Sequence, residues 1–179
     1  MGSAFSSQLL GMRAVFVLLA LGILFWQLLP LSTLPPSWAG PDLLIALTFA
    51  WALRRPDYVP ALLIAMVILL ADLLLQRPPG LMAFLVVLGT EQLKTRAIGL
   101  RDASFAGEWA AAGLVVIAVF VLNRVILSLL MVDQAPLGLT LIQMLMTILI
   151  YPLVVFVSHL FLGVRKLAPG DDDAIGSRP

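Results

Sequence analysis

The chain has 179 residues, of which 61% are hydrophobic and only 12% are charged. Soluble domains contain roughly 45–50% apolar and about 25% charged residues, and a short soluble chain cannot bury such an apolar excess. A net charge of +1 provides no basic face for nucleic acid. The sequence has no cysteine and a single histidine, His159, which excludes disulfides and disfavours metal centres and histidine-dependent triads. The composition therefore predicts an integral membrane protein without cofactor or metal.

Apolar segments divide the chain into about six predicted transmembrane helices, which form one domain over residues 1–167. A span needs about 20 mostly apolar residues, and polar or proline-containing breaks separate the candidates. The predicted spans lie near residues 14–30, 38–54, 58–75, 80–93, 108–131 and 139–163. Segment 43–53 is short and crosses only if its helix begins near residues 36–38. Residues 168–179 are predicted to be a disordered cytoplasmic tail.

The first span has an alternative interpretation as a cleaved signal peptide, because Ser37 and Ala39 are small residues suited to a cleavage site. The long, proline-rich gap between Leu29 and Ala39 disfavours it.

Basic residues in short loops favour the cytoplasmic side of a membrane. With six spans and a cytoplasmic amino terminus, nine basic residues lie inside, Arg77 lies outside, and Arg124 lies within the fifth span. The nine are Arg13, Arg54, Arg55, Lys94, Arg96, Arg101, Arg165, Lys166 and Arg178. The asymmetry predicts that both termini are cytoplasmic. The inner stretch from Lys94 to Gly107 is predicted to be the main polar loop, which attracts anionic lipid or contacts a cytoplasmic partner.

Two charged residues, Asp72 and Arg124, fall inside predicted spans at similar depths. Such charges cost roughly 2.5–3.5 kcal/mol or more to insert, so an ion pair between them is expected to lock two helices together. A polar cavity or partner interface is the alternative. Asp42 follows Pro41 at the start of a helix and is expected to cap it. Arg54 and Arg55 are interpreted first as a topogenic stop, and second as a docking loop.

The chain contains no phosphate-binding loop, no dinucleotide-binding glycine motif and no His-Glu-x-x-His element. It also lacks paired membrane carboxylates of the aspartyl-protease kind. The sequence therefore predicts that the protein is not an enzyme.

Two stretches of the sequence carry a more specific signal than the overall composition does. One runs from Pro41-Asp42-Leu43-Leu44 to Ala52-Leu53-Arg54-Arg55-Pro56, and the other joins Leu70-Ala71-Asp72-Leu73-Leu74 to the turn from Gln76 to Gly80-Leu81. Together they resemble MreD, the bacterial rod shape-determining membrane protein, along about the whole chain. Asp42, Asp72 and Gly80 match the family's most recognisable positions. Ala71 and the Pro78-Pro79 turn depart from its pattern.

The resemblance implies a non-enzymatic scaffold of the cell-elongation complex in the bacterial inner membrane, which supports cell shape and lateral peptidoglycan synthesis. It implies that the transmembrane helices bind MreC, and that MreB, RodA and a penicillin-binding transpeptidase are indirect partners. It also implies an arrangement like the substrate-binding subunits of ECF vitamin importers. A small-molecule or ion-coupled carrier that uses Asp72 and Arg124 is the alternative function. The run from Ala110 to Gly113 is expected to pack closely, either within the protein or against a partner.

Overall fold

The structure, a computed structural model, describes residues 2–29, 39–97, 99, 104–162 and 164. Several sequence predictions lie outside these residues and concern the linker at 30–38, the tail at 168–179, and the basic residues Arg101, Arg165, Lys166 and Arg178. Within the described residues the regular secondary structure is entirely helical.

The described residues form six α-helices, which follow one another along the sequence. They are α1 (Gly2–Leu28), α2 (Leu43–Arg54), α3 (Ala61–Leu74), α4 (Leu81–Ala97), α5 (Phe105–Leu129) and α6 (Leu137–Leu162), with a short 3₁₀ helix at Pro56–Tyr58. The helix at the fourth predicted span continues to Ala97, so Lys94 and Arg96 occupy its last turn rather than a loop. Lysine, arginine and glutamine favour helix, and cations at the carboxyl end suit the helix dipole.

Helix α2 is the centre of the bundle and packs against α1, α4, α5 and α6. Its residues from Leu44 to Leu53 are all buried, as expected of a helix that is hydrophobic on every face. Trp51 is fully buried at its core and packs against the rings of Phe16 and Tyr58. The helix begins at Leu43, later than the predicted start of the second span, because Asp42 caps it there.

In the part of the chain that the structure describes, three helices are long and apolar enough to cross a membrane, namely Ser7–Leu28, Phe105–Leu129 and Leu137–Leu162. Their large exposed side chains are hydrophobic, for example Phe25, Leu114 and Leu145. Helices α2 and α3 are also apolar but have only 12 and 14 residues. At 1.5 Å per residue they extend about 18 Å and 21 Å, less than the roughly 30 Å of hydrocarbon. The structure indicates a membrane protein, and the number of complete crossings remains a proposal.

The helices alternate in direction, so their polar ends collect at two ends of the bundle. The Asp42 end contains the start of α2, the turn between α3 and α4, and the connection between α5 and α6. The Arg54 end contains the end of α2, the connection to α3, the end of α4 and the start of α5.

Small residues allow the helices to approach closely in the middle of the bundle. A Cβ atom added to Gly89 in α4 would lie 2.7 Å from a methyl carbon of Val115 in α5 and 3.2 Å from the ring of Phe49 in α2. Within the small-residue run of α5, Ala112 and Gly113 are buried, and a Cβ on Gly113 would meet Ile148 of α6 at 3.4 Å. This run therefore packs within the protein, one of the two roles expected for it.

Candidate functional site

The turn between α3 and α4 is organised by Asp72, which is completely buried. Its backbone carbonyl accepts a hydrogen bond from Arg77 N at 2.9 Å, while Gln76 takes a positive φ of 54°. This is the Schellman arrangement that ends many helices. The carboxylate Oδ2 accepts hydrogen bonds from the backbone N–H groups of Gly80 (3.1 Å) and Ala83 (3.3 Å). Asp72 thus closes α3 with its backbone and caps α4 with its side chain.

Gly80 is required in this turn for its backbone conformation and not for space. Its φ is +90°, and a Cβ added there would meet nothing within 4 Å. Residues with a Cβ adopt such a φ at a cost of roughly 1–2 kcal/mol. The sequence singled out Gly80 only through the family resemblance, and the structure gives a physical reason for a glycine at this position.

Asp42 links α2 to α6 and to the α3–α4 turn at the same end. Its Oδ1 accepts a hydrogen bond from Ile45 N at 3.2 Å, which confirms the predicted cap on α2. Its Oδ2 accepts one from Arg77 Nη1 at 3.4 Å, and its backbone N–H donates to Thr147 Oγ1 of α6 at 2.8 Å. We call Asp42, Asp72, Arg77, Gly80 and Thr147 the Asp72 cluster. It holds all three residues on which the resemblance rests.

The expected ion pair between Asp72 and Arg124 is not formed. Arg124 Nη1 donates instead to Ala135 O (3.1 Å) and Thr140 Oγ1 (3.0 Å). Similar depth in the membrane was the basis of the prediction, but depth does not fix which faces of two helices meet. Asp72 is engaged by its own turn, although its second carboxylate oxygen, Oδ1, is buried without a hydrogen-bond partner among the described residues.

A buried ion pair joins α2 and α5 towards the Arg54 end. Arg54 Nε and Nη2 lie 2.9 Å and 3.3 Å from the two carboxylate oxygens of Glu108, and Tyr151 Oη of α6 donates to Glu108 Oε1 at 3.1 Å. The side chains of Arg54 and Glu108 are 12% and 1% exposed. We call these three residues the Arg54 cluster. A forked guanidinium–carboxylate contact is among the strongest polar interactions in a protein.

This pair was not predicted from the sequence, where Arg54 was interpreted as a topogenic stop and Glu108 lay at the start of a span. The signal was present, since a carboxylate that begins a long apolar helix requires a partner.

A tryptophan of α5 replaces a hydrogen bond that a proline removes from α6. Pro152 has no N–H group, so the carbonyl of Ile148, four residues earlier, loses its usual helical donor. The indole N–H of Trp109 donates to that carbonyl at 2.9 Å. Further along α6, Ser158 accepts a hydrogen bond from the indole N–H of Trp51 at 3.1 Å. These contacts fix α6 against α5 and α2 without using charge.

Basic side chains at the Arg54 end fasten the connection between α2 and α3. Arg13 donates through Nε and Nη2 to Asp57 O, at 3.2 Å and 3.0 Å, and Lys94 Nζ donates to Val59 O at 2.8 Å. Lys94 also pairs with Glu91 at 2.8 Å, three residues earlier on the same helix. The guanidinium of Arg55 lies 5.8 Å from the ring centre of Tyr58, within the range of a cation–π contact. Arg96 is exposed on the last turn of α4.

The polar groups of the Asp72 and Arg54 clusters hold helices together through their hydrogen bonds. Among the residues that the structure describes, no three or more His, Cys, Asp or Glu side chains lie close enough to bind a metal ion. Glu108 is bound by Arg54 and Tyr151, and Asp72 by backbone N–H groups. His159 is exposed beside Arg54 and Pro152 in a shallow depression.

Comparison with protein-family models, with curated proteins and with solved structures gives no significant match for this chain.

Proposed function

We propose that this protein is an MreD-like scaffold of the cell-elongation complex in the bacterial inner membrane, and that it supports cell shape by binding MreC through its transmembrane helices. The observation that carries the proposal is the Asp72 cluster. Asp42, Asp72 and Gly80 are the positions on which the resemblance rests, and they come together at one end of the bundle although up to 38 positions separate them. Gly80 N–H donates to Asp72, and Asp42 bonds to Arg77 of the same turn. Their contacts are those of residues that specify a fold.

The distribution of polar and apolar side chains supports a scaffold. Charged groups of the Asp72 and Arg54 clusters are bonded inside the bundle, while α1, α3, α5 and α6 present large apolar side chains outwards. Such apolar faces can contact lipid, and they can also pack against a helix of another membrane protein. Between α1 and α3 these side chains line an apolar groove that includes Val17, Leu21, Met66 and Leu70.

The charges support the proposed orientation, in which the Arg54 end faces the cytoplasm. Of the basic residues that the structure describes, Arg13, Arg54, Arg55, Lys94 and Arg96 belong to that end, and only Arg77 and Arg124 belong to the Asp42 end. Basic residues favour the cytoplasmic side. In this orientation, both termini of a six-span arrangement are cytoplasmic, and MreB lies on the same side.

Purification from native membranes tests the scaffold. The tagged full chain is expected to retain MreC in mild detergent, whereas a tagged polytopic membrane protein of similar size from the same cells does not. Photo-crosslinkers at Met66 in the α1–α3 groove and at Leu145 on the outward face of α6 then locate the contact. Absence of MreC from every preparation that retains the folded chain would refute the proposal.

The carrier alternative receives less support from the geometry. It requires Asp72 and Arg124 to act on one ligand, and the two side chains bond to different partners. Arg124 does line a cavity, but Asp72 does not.

A further inference from the structure

A polar cavity of about 260 Å³ lies at the Asp42 end, between the α3–α4 turn, α5, the α5–α6 connection and the start of α6. Polar side chains from all of these elements line it: Gln76, Arg77, Asn123, Arg124, Asp133, Gln134, Thr140 and Gln143. Met82, Phe120 and Leu127 form its apolar part. This cavity plays no part in the scaffold function proposed above.

Arg124 lines the cavity with a charge that no described carboxylate neutralises. It lies in α5, within a long apolar helix, where a charge is costly unless it is paired or solvated. Its Nη1 group donates to two neutral oxygen atoms, those of Ala135 and Thr140. A guanidinium has five N–H donors, so the Nε–H and both N–H groups of Nη2 have no protein acceptor among the described residues. No carboxylate of those residues lies within 4 Å of it.

The surroundings of Arg124 favour an oxyanion. Arg77 lines the same cavity and has further N–H donors beyond the Nη1 contact to Asp42. Thr140 lies in the first turn of α6, so the cavity adjoins the amino-terminal end of that helix, where anions are stabilised. Asn123 and Gln143 supply amide groups for hydroxyls of a ligand, and Asp133 accepts hydrogen bonds from a hydroxyl or amine.

We infer that this cavity binds a phosphate group, held by the guanidinium of Arg124 with Arg77 and the start of α6 beside it. Arginine forms bidentate, charge-assisted hydrogen bonds to phosphate. The phosphate can belong to the headgroup of a phospholipid or to a small soluble phosphate ester, and the two sources share this chemistry.

Thermal unfolding of the purified full chain in non-ionic detergent tests the site, with inorganic phosphate as the probe and chloride at equal ionic strength as the reference. Phosphate is expected to raise the melting temperature in a saturable manner, because a ligand that binds only the folded state stabilises it. Arg124→Gln is expected to raise the half-saturating concentration by roughly tenfold to a hundredfold, the effect of losing a hydrogen bond to a charged group.

Two further variants keep this test decisive. Arg96→Gln removes an exposed arginine at the other end of the bundle and is expected to leave the phosphate response unchanged. Asn123→Leu removes a polar group from the cavity while retaining Arg124, and is expected to weaken the response as well. A response equal to that of chloride, or wild-type half-saturation in both Arg124→Gln and Asn123→Leu, would overturn the inference.

Nanodiscs of phosphatidylglycerol distinguish the two sources of phosphate. If a lipid headgroup fills the cavity, added inorganic phosphate no longer shifts the melting temperature in nanodiscs, and less phospholipid copurifies with Arg124→Gln than with Arg96→Gln. If the natural ligand is a soluble ester, the shift persists in nanodiscs.

Discussion

Glu108→Ala is expected to lower the free energy of unfolding by about 3–5 kcal/mol, the usual cost of removing one partner from a buried ion pair. The substitution leaves Arg54, whose side chain is only 12% exposed, without its carboxylate in an apolar surrounding. It also removes the acceptor of the Tyr151 hydroxyl. Thermal or denaturant unfolding in detergent measures the loss.

Glu91→Ala is the matched control for this prediction. Glu91 also pairs with a basic residue, Lys94, at 2.8 Å, but its side chain is 48% exposed. Exposed pairs contribute less than about 1 kcal/mol. The double variant Arg54→Met with Glu108→Leu is expected to recover most of the lost stability, since an apolar pair replaces both charges. Equal effects of Glu108→Ala and Glu91→Ala would show that the Arg54 cluster does not hold α2, α5 and α6 together.

Asp72→Ala is expected to cost about 2–4 kcal/mol, because two backbone N–H groups, those of Gly80 and Ala83, lose their common acceptor. A polar group left without a partner in a buried position costs about 1–3 kcal/mol. The loss removes the cap of α4 and loosens the turn that joins it to α3. The same unfolding measurement applies, with Asp57→Ala as an exposed aspartate whose replacement is expected to change little.

Asp72→Asn distinguishes the capping role of the Asp72 side chain from a role of its negative charge. The amide oxygen of asparagine still accepts hydrogen bonds from the backbone, so this variant is expected to retain most of the stability and to assemble normally. If Asp72→Asn abolished cell elongation in a complex that assembles normally, the charge itself would be needed. That result would contradict a purely structural role and would favour the carrier.

Contacts between neighbours in sequence were predictable from the sequence, and contacts between helices largely were not. Asp42 caps the amide three residues later, and Glu91 pairs with Lys94 three residues later. Both follow from helix geometry alone. The pair between Arg54 and Glu108 depends on how three helices rotate against one another, which hydropathy does not specify. The wrong prediction for Asp72 and Arg124 has the same origin.

The resemblance selected one position, Gly80, for which the residue pattern gave no physical reason. Gly80 has no periodicity or charge to mark it, yet its positive φ and its N–H bond to Asp72 make it part of the turn. By contrast, Gly89 fits between Val115 and Phe49 and was not singled out, because close packing of helices leaves little trace in one sequence. The cavity around Arg124 was predicted only as an alternative to an ion pair, and its lining could not be predicted because its walls come from four separate segments.

The central claim is a helical bundle that crosses the membrane with its Arg54 end in the cytoplasm. The chain contains no cysteine, so single cysteines can report on each side. Gly99→Cys lies at the Arg54 end between α4 and α5, and Ala135→Cys at the Asp42 end between α5 and α6; both positions are exposed. A membrane-impermeant maleimide applied to intact spheroplasts is expected to label Ala135→Cys at once, and Gly99→Cys only after permeabilisation. Labelling of Gly99→Cys in intact spheroplasts, with protection of Ala135→Cys, would contradict the account.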